Sequence, residues 1–122
     1  MIYKVGMLCK HFKGENLLEK NIYRIEKLGV NGNEIDETLI TYTGEGELLS
    51  AKNLVVYSNI FQENKQFARE YEDISSELSL EKKEMYKQQI KVQPLTPSEI
   101  DMINDANFVT EKKKLVLSKF KK

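Results

Sequence analysis

The sequence predicts a mainly β protein with C-terminal helices, built as a small, strongly bent sheet or an SH3-like open barrel with a helical tail. Two observations support this. Short segments rich in β-branched and aromatic residues, separated by turn residues, fill most of the chain up to residue 71. A helix start, Thr96-Pro97-Ser98-Glu99, then precedes apolar residues at helical spacing. We therefore expect a β-rich domain over residues 1–95 and a helical extension over residues 96–122, which either joins the same compact domain or serves oligomerisation.

The predicted strands are segments rich in β-branched or aromatic residues that end at turn residues. They are residues 3–12, 21–30, 37–43, 54–61 and 66–71. Between the second and third, Asn31-Gly32 favours a tight hairpin, since both residues tolerate the positive φ of a type I′ turn. The fourth is the most hydrophobic, so we expect it near the centre of the sheet.

The character of the sequence changes after residue 71. Residues 72–84 are highly charged and poor in β-branched side chains, which favours one or two helical turns. Residues 86–92 are predicted to form a last strand that returns to the sheet. In the tail, one helix is expected from Pro97 and another from near Thr110.

Length and composition restrict the class of protein. With 122 residues the chain is expected to be one domain that buries about two-thirds of its unfolded surface. Cys9 is the only cysteine, which excludes an internal disulfide framework and agrees with a reducing compartment. No apolar run approaches the ~18 residues of a membrane span, and no signal-peptide pattern is visible. We therefore expect a soluble, cytoplasmic protein.

The net charge of zero conceals an uneven distribution. From Glu111 onward six lysines accompany one acid, which gives +5, so the preceding residues carry −5. The plain interpretation is a solvated helix whose lysines favour its C-terminal end. A basic tail that contacts nucleic acid is the alternative, but an acidic body repels phosphate backbones. The tail also contains apolar residues suited to packing, which are our candidates for an interface: Leu115, Val116, Leu117 and Phe120.

Three short motifs are spread over the strand-rich part of the chain. They are Cys9-Lys10-His11-Phe12-Lys13-Gly14, Val55-Val56-Tyr57 and Phe67-Ala68-Arg69-Glu70. In this order they resemble the bacterial family called domain of unknown function 1653, with its Tyr-x-His-Phe-Lys-Gly strand, Val-Val-Tyr strand and aromatic-Val-Arg-Pro segment. The resemblance covers roughly residues 5–78, with Cys9 in place of the usual aromatic and Glu70 in place of the usual proline. It implies a small, non-enzymatic β-rich domain of a kind frequent in bacterial and phage-like gene sets, and leaves the ligand open.

Side chains in these motifs are our candidates for a ligand-binding site. His11, Lys13 and Arg69 offer donors, whereas Tyr57 and Phe67 offer aromatic faces. Each type has a plainer interpretation: a half-buried strand histidine, a turn lysine, an arginine paired with a neighbouring acid, and cross-strand core aromatics. If the five converge, the pocket suits an anionic, planar ligand, because cations neutralise phosphate and aromatic rings stack on bases.

No catalytic motif is visible, so we expect a protein that is not an enzyme and that carries no cofactor or metal. Cys9 and His11 would share one face of a strand, but two ligands are too few for a metal site, and a Cys–His nucleophile needs an orienting group and an oxyanion hole. Gly44-Glu45-Gly46 lacks the lysine and hydroxyl residue of a phosphate-binding loop. The adjacent acids Glu72 and Asp73 are expected to be solvated surface.

We expect, as the most specific hypothesis, a binding protein whose β-domain pocket takes an anionic, nucleotide-like small molecule. The phage-like habitat implied by the resemblance is consistent with sequestration of a nucleotide signal of a bacterial defence system. A protein-interaction or inhibitor module, which binds a host protein or self-associates through the tail, is the main alternative. A nucleic-acid-binding barrel with the lysine-rich tail as its contact is a further one.

Overall fold

The computed structural model describes residues 2–29, 39–42, 48–51, 54–62 and 65–120. In chain order its elements are β1 (Leu8–His11), β2 (Ile22–Gly29), β3 (Leu39–Tyr42), β4 (Leu48–Ala51), β5 (Leu54–Asn59), β6 (Gln66–Glu70), α1 (Tyr71–Ile74), α2 (Leu80–Tyr86), β7 (Val92–Pro94), α3 (Pro97–Ile103) and α4 (Ala106–Phe120). An antiparallel sheet has the order β6-β5-β2-β1-β7, and β3 pairs with β4 in a separate sheet. In the described part of the chain the edge strands β6 and β7 do not pair, so the larger sheet is open. The prediction of a mainly β fold with a helical tail is confirmed.

One face of the larger sheet carries the main core. The side-chain alternation of the strands turns Cys9, Tyr23, Ile25 and Tyr57 to this face, and all four are buried. The strand register explains their packing, since Cys9 lies opposite Tyr23 and Ile25 lies opposite Tyr57. Between Ile25 and Lys27 the register of β2 against β5 shifts. Such a bulge bends a strand and increases its twist, which helps to make this face concave.

Tyr3 bridges the open side of the sheet. Its hydroxyl lies 2.5 Å from the carbonyl oxygen of Val92 on β7 and 3.1 Å from that of Ile74 at the end of α1. Since α1 follows β6 directly, this one phenol connects the two edges of the sheet. Burial raises the pKa of Tyr3, so the hydroxyl stays protonated and remains a donor.

The C-terminal helices pack against a second core cluster, in which Leu17, Ile22, Leu95 and Ile103 are buried. Helix α3 begins at Pro97, as predicted, with a capping box. The Thr96 hydroxyl accepts from the Glu99 N–H at 3.2 Å, and the Glu99 carboxylate accepts from the Thr96 N–H at 3.0 Å. The predicted helix start is therefore confirmed.

Among the residues with a described side chain, three lysines are buried, and we refer to Lys10, Lys20 and Lys112 as the structural lysines. The Lys10 ammonium lies 2.5 Å from Oε2 of Glu99, the residue of the capping box. Burial alone would raise the pKa of Glu99, but hydrogen bonds from Lys10 and Thr96, together with the Lys10 charge, hold it below its ordinary value. The pair therefore joins β1 to α3 as an ion pair.

The other two structural lysines act through neutral acceptors. The Lys20 ammonium donates to the carbonyl oxygens of Phe12 (2.7 Å) and Tyr86 (3.0 Å) and to Oε1 of Gln88 (3.2 Å). Lys112 of α4 donates to the carbonyl oxygens of Leu18 and Lys20. The loop between β1 and β2 is thus bound to α2 on one side and to the C-terminal helix on the other.

Gly14 has a conformational role in this loop. Its φ is +118°, and a Cβ at this position would lie 3.1 Å from backbone atoms of Glu19 and Lys20. A positive φ is adopted freely only by glycine. Glycine is therefore required where the chain turns between Lys13 and the buried Lys20.

The structure corrects two of the expected boundaries. The last strand predicted over residues 86–92 does return to the sheet, where it pairs with β1, but its predicted bounds were wrong. Helix α2 continues to Tyr86, and the strand is the shorter β7, beginning at Val92. A helix is favoured over a strand up to Tyr86 because the Ser79 side chain caps it, accepting from the Lys82 N–H, and because straight-chain residues fill its turns.

The second tail helix begins at Ala106 rather than near Thr110. The Asp105 carboxylate accepts hydrogen bonds from the N–H groups of Asn107 and Phe108, which starts the helix four residues earlier. Strand β4 falls in a region that we expected to be loop. The hairpin residues Asn31-Gly32 and the loop Gly44-Glu45-Gly46 lie outside the described residues.

None of the helices in the described ranges combines the length and apolarity needed to cross a membrane.

Candidate functional site

Four of the five predicted ligand-binding residues line one cavity of about 340 Å³: His11, Lys13, Tyr57 and Arg69. We call this the cationic cavity. The rest of its lining is formed by Phe12, Asp73, Ile74, Lys82, Lys91 and Val92. Phe67, the fifth predicted residue, does not line it but stacks on Tyr57, with 5.7 Å between ring centroids. The structure therefore brings four predicted side chains to one concavity and places the fifth behind it.

Strand register explains this convergence. His11 lies opposite Val92 at the β1–β7 edge. On the other side Tyr57 lies opposite Phe67, and Arg69 follows Phe67 by two residues, so it projects from the same face of β6. Because this face is concave, side chains from both edges point toward a common space.

Four cationic side chains line the cavity: Arg69 and the three that we call the cavity lysines, Lys13, Lys82 and Lys91. One carboxylate, Asp73, faces them, and its Oδ1 accepts from the Lys91 ammonium at 2.8 Å. Among the described residues no carboxylate lies within 4 Å of the charged groups of Lys13, Arg69 or Lys82. With neutral His11, four positive charges and one negative charge give the described lining of the cavity a net charge of +3.

The lowered pKa of His11 reflects both its burial and this positive potential. Burial lowers its pKa, and the positive charges of Lys13, Lys20 and Lys91 lower it further. Its Nδ1 lies 3.3 Å from the backbone nitrogen of Lys13 and accepts that N–H. In the neutral imidazole the proton is then on Nε2, which is left as a hydrogen-bond donor.

Tyr57 supplies the aromatic wall. Tyr23 and Phe67 support its ring at centroid distances of 4.7 and 5.7 Å. Burial, with a smaller contribution from Tyr23, raises the pKa of Tyr57 to about 12. Its hydroxyl is therefore a neutral group, and it makes no hydrogen bond to any described residue.

Arg69 is exposed, and its guanidinium lies beside the ring of Phe67, 5.9 Å from the centroid. One guanidinium nitrogen, Nη1, donates to the carbonyl oxygen of Ala68 at 2.9 Å. The plain interpretation of this arginine, an ion pair with an adjacent acid, is not what the described residues form. The aromatic ring and the backbone contact restrain the side chain, while its remaining N–H groups have no described acceptor.

Sequence reasoning missed Asp73, Lys82 and Lys91. The motifs could not indicate them, because they lie on α1, on α2 and in the connection before β7. Their contribution depends on how the chain returns across the open side of the sheet. Lys82 lies over the ring of Phe12, 5.5 Å from its centroid, at the cavity wall. The one available signal was the lysine content of residues 82–91, which is as typical of a solvated helix.

The described residues do not bring together three His, Cys, Asp or Glu side chains that could hold a metal ion. Cys9 lies on the same face as His11 but is completely buried. Burial raises the pKa of the Cys9 thiol to about 12, so it is protonated and unreactive at neutral pH. Cys9 is a core side chain.

The predicted interface residues differ from one another in exposure. Leu115 and Val116 are half-buried, whereas Leu117 is 58% exposed. The Phe120 side chain lies outside the described residues. Of the three candidate interface residues whose side chains are described, Leu117 is the one presented to solvent.

Comparisons with known proteins add nothing to the geometry of this site. No family model, curated protein or solved structure matches the chain. The resemblance to the family called domain of unknown function 1653 therefore stays a prediction.

Proposed function

We propose that this chain is a non-enzymatic binding protein whose cationic cavity takes an anionic, planar molecule of the nucleotide type. The observation that carries the proposal is the meeting of four cations with one carboxylate beside an aromatic wall. Uncompensated positive charge in a concave site raises the local concentration of anions. A volume of about 340 Å³ is within the range of small-molecule sites.

Different side chains are suited to different parts of the ligand. Lys13 and Lys82 are point charges suited to phosphate oxygens, whereas the Arg69 fork can bind two oxygens at once. Tyr57 is only 5% exposed, so the part of its rigid ring that borders the cavity, supported from behind, gives an apolar contact for a planar base rather than an open stacking surface. The Nε2–H of His11 and the Tyr57 hydroxyl add neutral donors for polar atoms of the ligand.

None of the described lining residues is a serine, threonine or cysteine that could act as a nucleophile, so the proposed outcome is retention of the ligand unchanged. In a phage-encoded protein this would sequester a nucleotide signal of a host defence system.

A thermal-shift screen against linear and cyclic nucleotides tests the proposal. A ligand at a hundredfold excess over its Kd stabilises the folded state by about 2.7 kcal/mol, which raises the melting temperature by several degrees. Arg69→Ala should weaken binding by about 1.5–3 kcal/mol while the fold remains intact, because an exposed charge-assisted contact is lost. Arg69→Lys should restore binding only in part, since an ammonium cannot reproduce the bidentate fork.

Arg24→Ala is the matched control. Arg24 is an exposed arginine of β2 in the same sheet, next to Tyr23 in sequence and therefore on the opposite face. This variant should bind as tightly as the wild type. Equal losses in the Arg24 and Arg69 variants would indicate a general charge effect, and the absence of a shift with any nucleotide would contradict the proposal.

Self-association is a second candidate, favoured by the exposure of Leu117 on an anchored helix. Leu117→Ser should then lower the mass measured by light scattering, whereas Ser118→Ala, at the exposed neighbouring position, should not. A wild-type protein that is monomeric at all accessible concentrations would exclude this candidate.

A further inference from the structure

Asp73 is an unexpected residue in a site for a simple anion. A carboxylate beside Arg69 and the cavity lysines repels phosphate and cancels part of the attraction. Its side chain is 52% exposed, so it is not required to fill the core. Its Oδ1 binds Lys91, whereas no described residue donates to Oδ2. The cavity therefore holds a charged acceptor with one oxygen that accepts from none of the described residues.

Asp73 also stands between two spaces. A neighbouring hollow of about 390 Å³ is lined by Leu54, Ala68, Arg69, Glu70 and Asp73. It shares Arg69 and Asp73 with the cationic cavity. A molecule that occupies the cavity and extends toward this hollow passes Asp73 and Arg69, and it leaves Lys13 and Lys82 behind it.

We propose that the ligand is a phosphate ester that also carries adjacent hydroxyl groups, as a ribonucleotide does, and that Asp73 selects it by accepting hydrogen bonds from those hydroxyls. This inference rests on the proposed function and specifies the ligand class of the same site. A carboxylate is the strongest acceptor that a protein offers to a pair of hydroxyls. It also discriminates, because a ligand that lacks the hydroxyls leaves the carboxylate beside phosphate with no compensation.

The phosphate end fixes the direction of the ligand. Lys13 and Lys82 lie in the part of the lining contributed by the β1 end and α2, whereas Arg69 and Asp73 lie at the boundary with the second hollow. The expected order along the ligand is therefore phosphate, then hydroxyl-bearing sugar at Asp73. Lys91 neutralises Asp73, since its ammonium lies 2.8 Å from Oδ1 of that carboxylate.

The test compares three kinds of probe by calorimetry: the four ribonucleoside 5′-diphosphates, their 2′,3′-dideoxy counterparts and inorganic pyrophosphate. Wild-type protein should bind at least one ribonucleotide about tenfold or more tightly than its dideoxy counterpart, the ratio expected for loss of an ionic hydrogen bond. Asp73→Asn should reduce this ratio toward one. The same variant should bind pyrophosphate more tightly than wild type, because a repelling charge is removed.

Glu72→Gln is the matched control. It removes the same charge at the adjacent position of α1, but Glu72 lines neither space. The ribose-to-dideoxy ratio should remain at the wild-type value in this variant. The ribose-to-dideoxy affinity ratio is also measured on wild-type protein alone. The proposal therefore remains testable even if the Asp73→Asn variant does not fold.

The outcomes separate the two levels of the proposal. Equal affinity of wild-type protein for ribonucleotides and dideoxynucleotides overturns the role of Asp73 and leaves the nucleotide site standing. An Asp73→Asn variant that binds all probes more tightly, with an unchanged ratio of ribonucleotide to dideoxynucleotide affinity, also overturns the selective role of Asp73. Asp73 would then act only as a negative charge that weakens anion binding. Failure of every nucleotide to bind removes the proposed function itself.

Discussion

The three structural lysines and two of the cavity lysines, Lys13 and Lys82, are chemically identical, but their surroundings are opposite. Lys10, Lys20 and Lys112 are buried, and their ammonium groups have acceptors at hydrogen-bond distance. Lys13 and Lys82 are exposed and contact no described carboxylate. Burial of an ammonium is tolerated only when hydrogen bonds replace its hydration, whereas an exposed ammonium keeps its water until a ligand displaces it. The first group therefore stabilises the fold, and the second is available to bind.

The largest expected effect separates the two groups by stability. Lys20→Met should lower the free energy of unfolding by about 2–4 kcal/mol, because the buried acceptors on Phe12, Tyr86 and Gln88 lose their donor. Lys82→Met at the exposed cavity wall should change it by less than about 0.5 kcal/mol. Urea denaturation measures the free energy of unfolding of both variants. Similar losses in the two variants would contradict the distinction.

A smaller loss is expected at the C-terminal helix. Lys112→Met should lower the free energy of unfolding by about 1–3 kcal/mol, because the carbonyl oxygens of Leu18 and Lys20 lose a buried charged donor. Amide hydrogen exchange should also accelerate in α4 more than in β5. Lys113→Met, at the exposed neighbouring position, serves as the control and should leave both unchanged.

Alkaline pH tests the charge of Lys20 directly. Burial, with a smaller contribution from the Lys10 charge, lowers the pKa of Lys20 to about 8 from its ordinary 10.5. Between these values the unfolded chain binds more protons than the folded chain, so this lysine makes the free energy of unfolding rise with pH. Burial raises the pKa of Cys9 and Tyr57, and these groups act in the opposite sense.

The contribution of Lys20 is therefore the difference between wild-type protein and Lys20→Met. This difference in the free energy of unfolding should grow as the pH increases from about 8 to 10.5. A difference that stays constant over this range would mean that Lys20 keeps its proton in the folded state.

The smallest expected effect concerns the cavity. Burial and then the charges of Lys13, Lys20 and Lys91 lower the pKa of His11. Lys13→Met should therefore raise the His11 pKa in an NMR titration, and pyrophosphate, by neutralising the cavity, should raise it further. Lys4→Met, which removes an exposed lysine outside the cavity lining, should not. An unchanged His11 pKa in the Lys13 variant would mean that the cavity charge is already screened.

Local patterns in the sequence were sufficient for much of the fold. Strand composition located β2, β5 and β6, and the Thr96-Pro97-Ser98-Glu99 segment located α3, because these signals depend on near neighbours in the chain. The predicted bounds of the last strand, residues 86–92, were wrong for a non-local reason. Gln88 is buried there, and its side-chain amide donates to the carbonyl oxygens of Lys10, Ile90 and Lys91. This stretch therefore contacts β1 through a side chain, and backbone pairing with β1 begins only at Val92.

The candidate site was predictable in part, because strand alternation is also a local property of the sequence. Strand alternation was enough to place His11, Tyr57 and Arg69 on one face, and the open sheet brings them to one cavity. Phe67 shares that face but is covered by its neighbours. The charges that distinguish the cavity, Lys82 and Asp73, come from helices whose position depends on tertiary packing. No spacing in the sequence indicates that packing.

The Tyr3 hydroxyl makes its two contacts with carbonyl groups 71 and 89 residues away along the chain. Contacts at such separations require large loops to close, and they form late in folding because the entropy of closure is lost before the contact is gained. The walls of the cationic cavity come from the same distant segments, from residue 11 to residue 92. During synthesis on the ribosome, ligand capture therefore has to wait until β7 has been made and has joined the sheet.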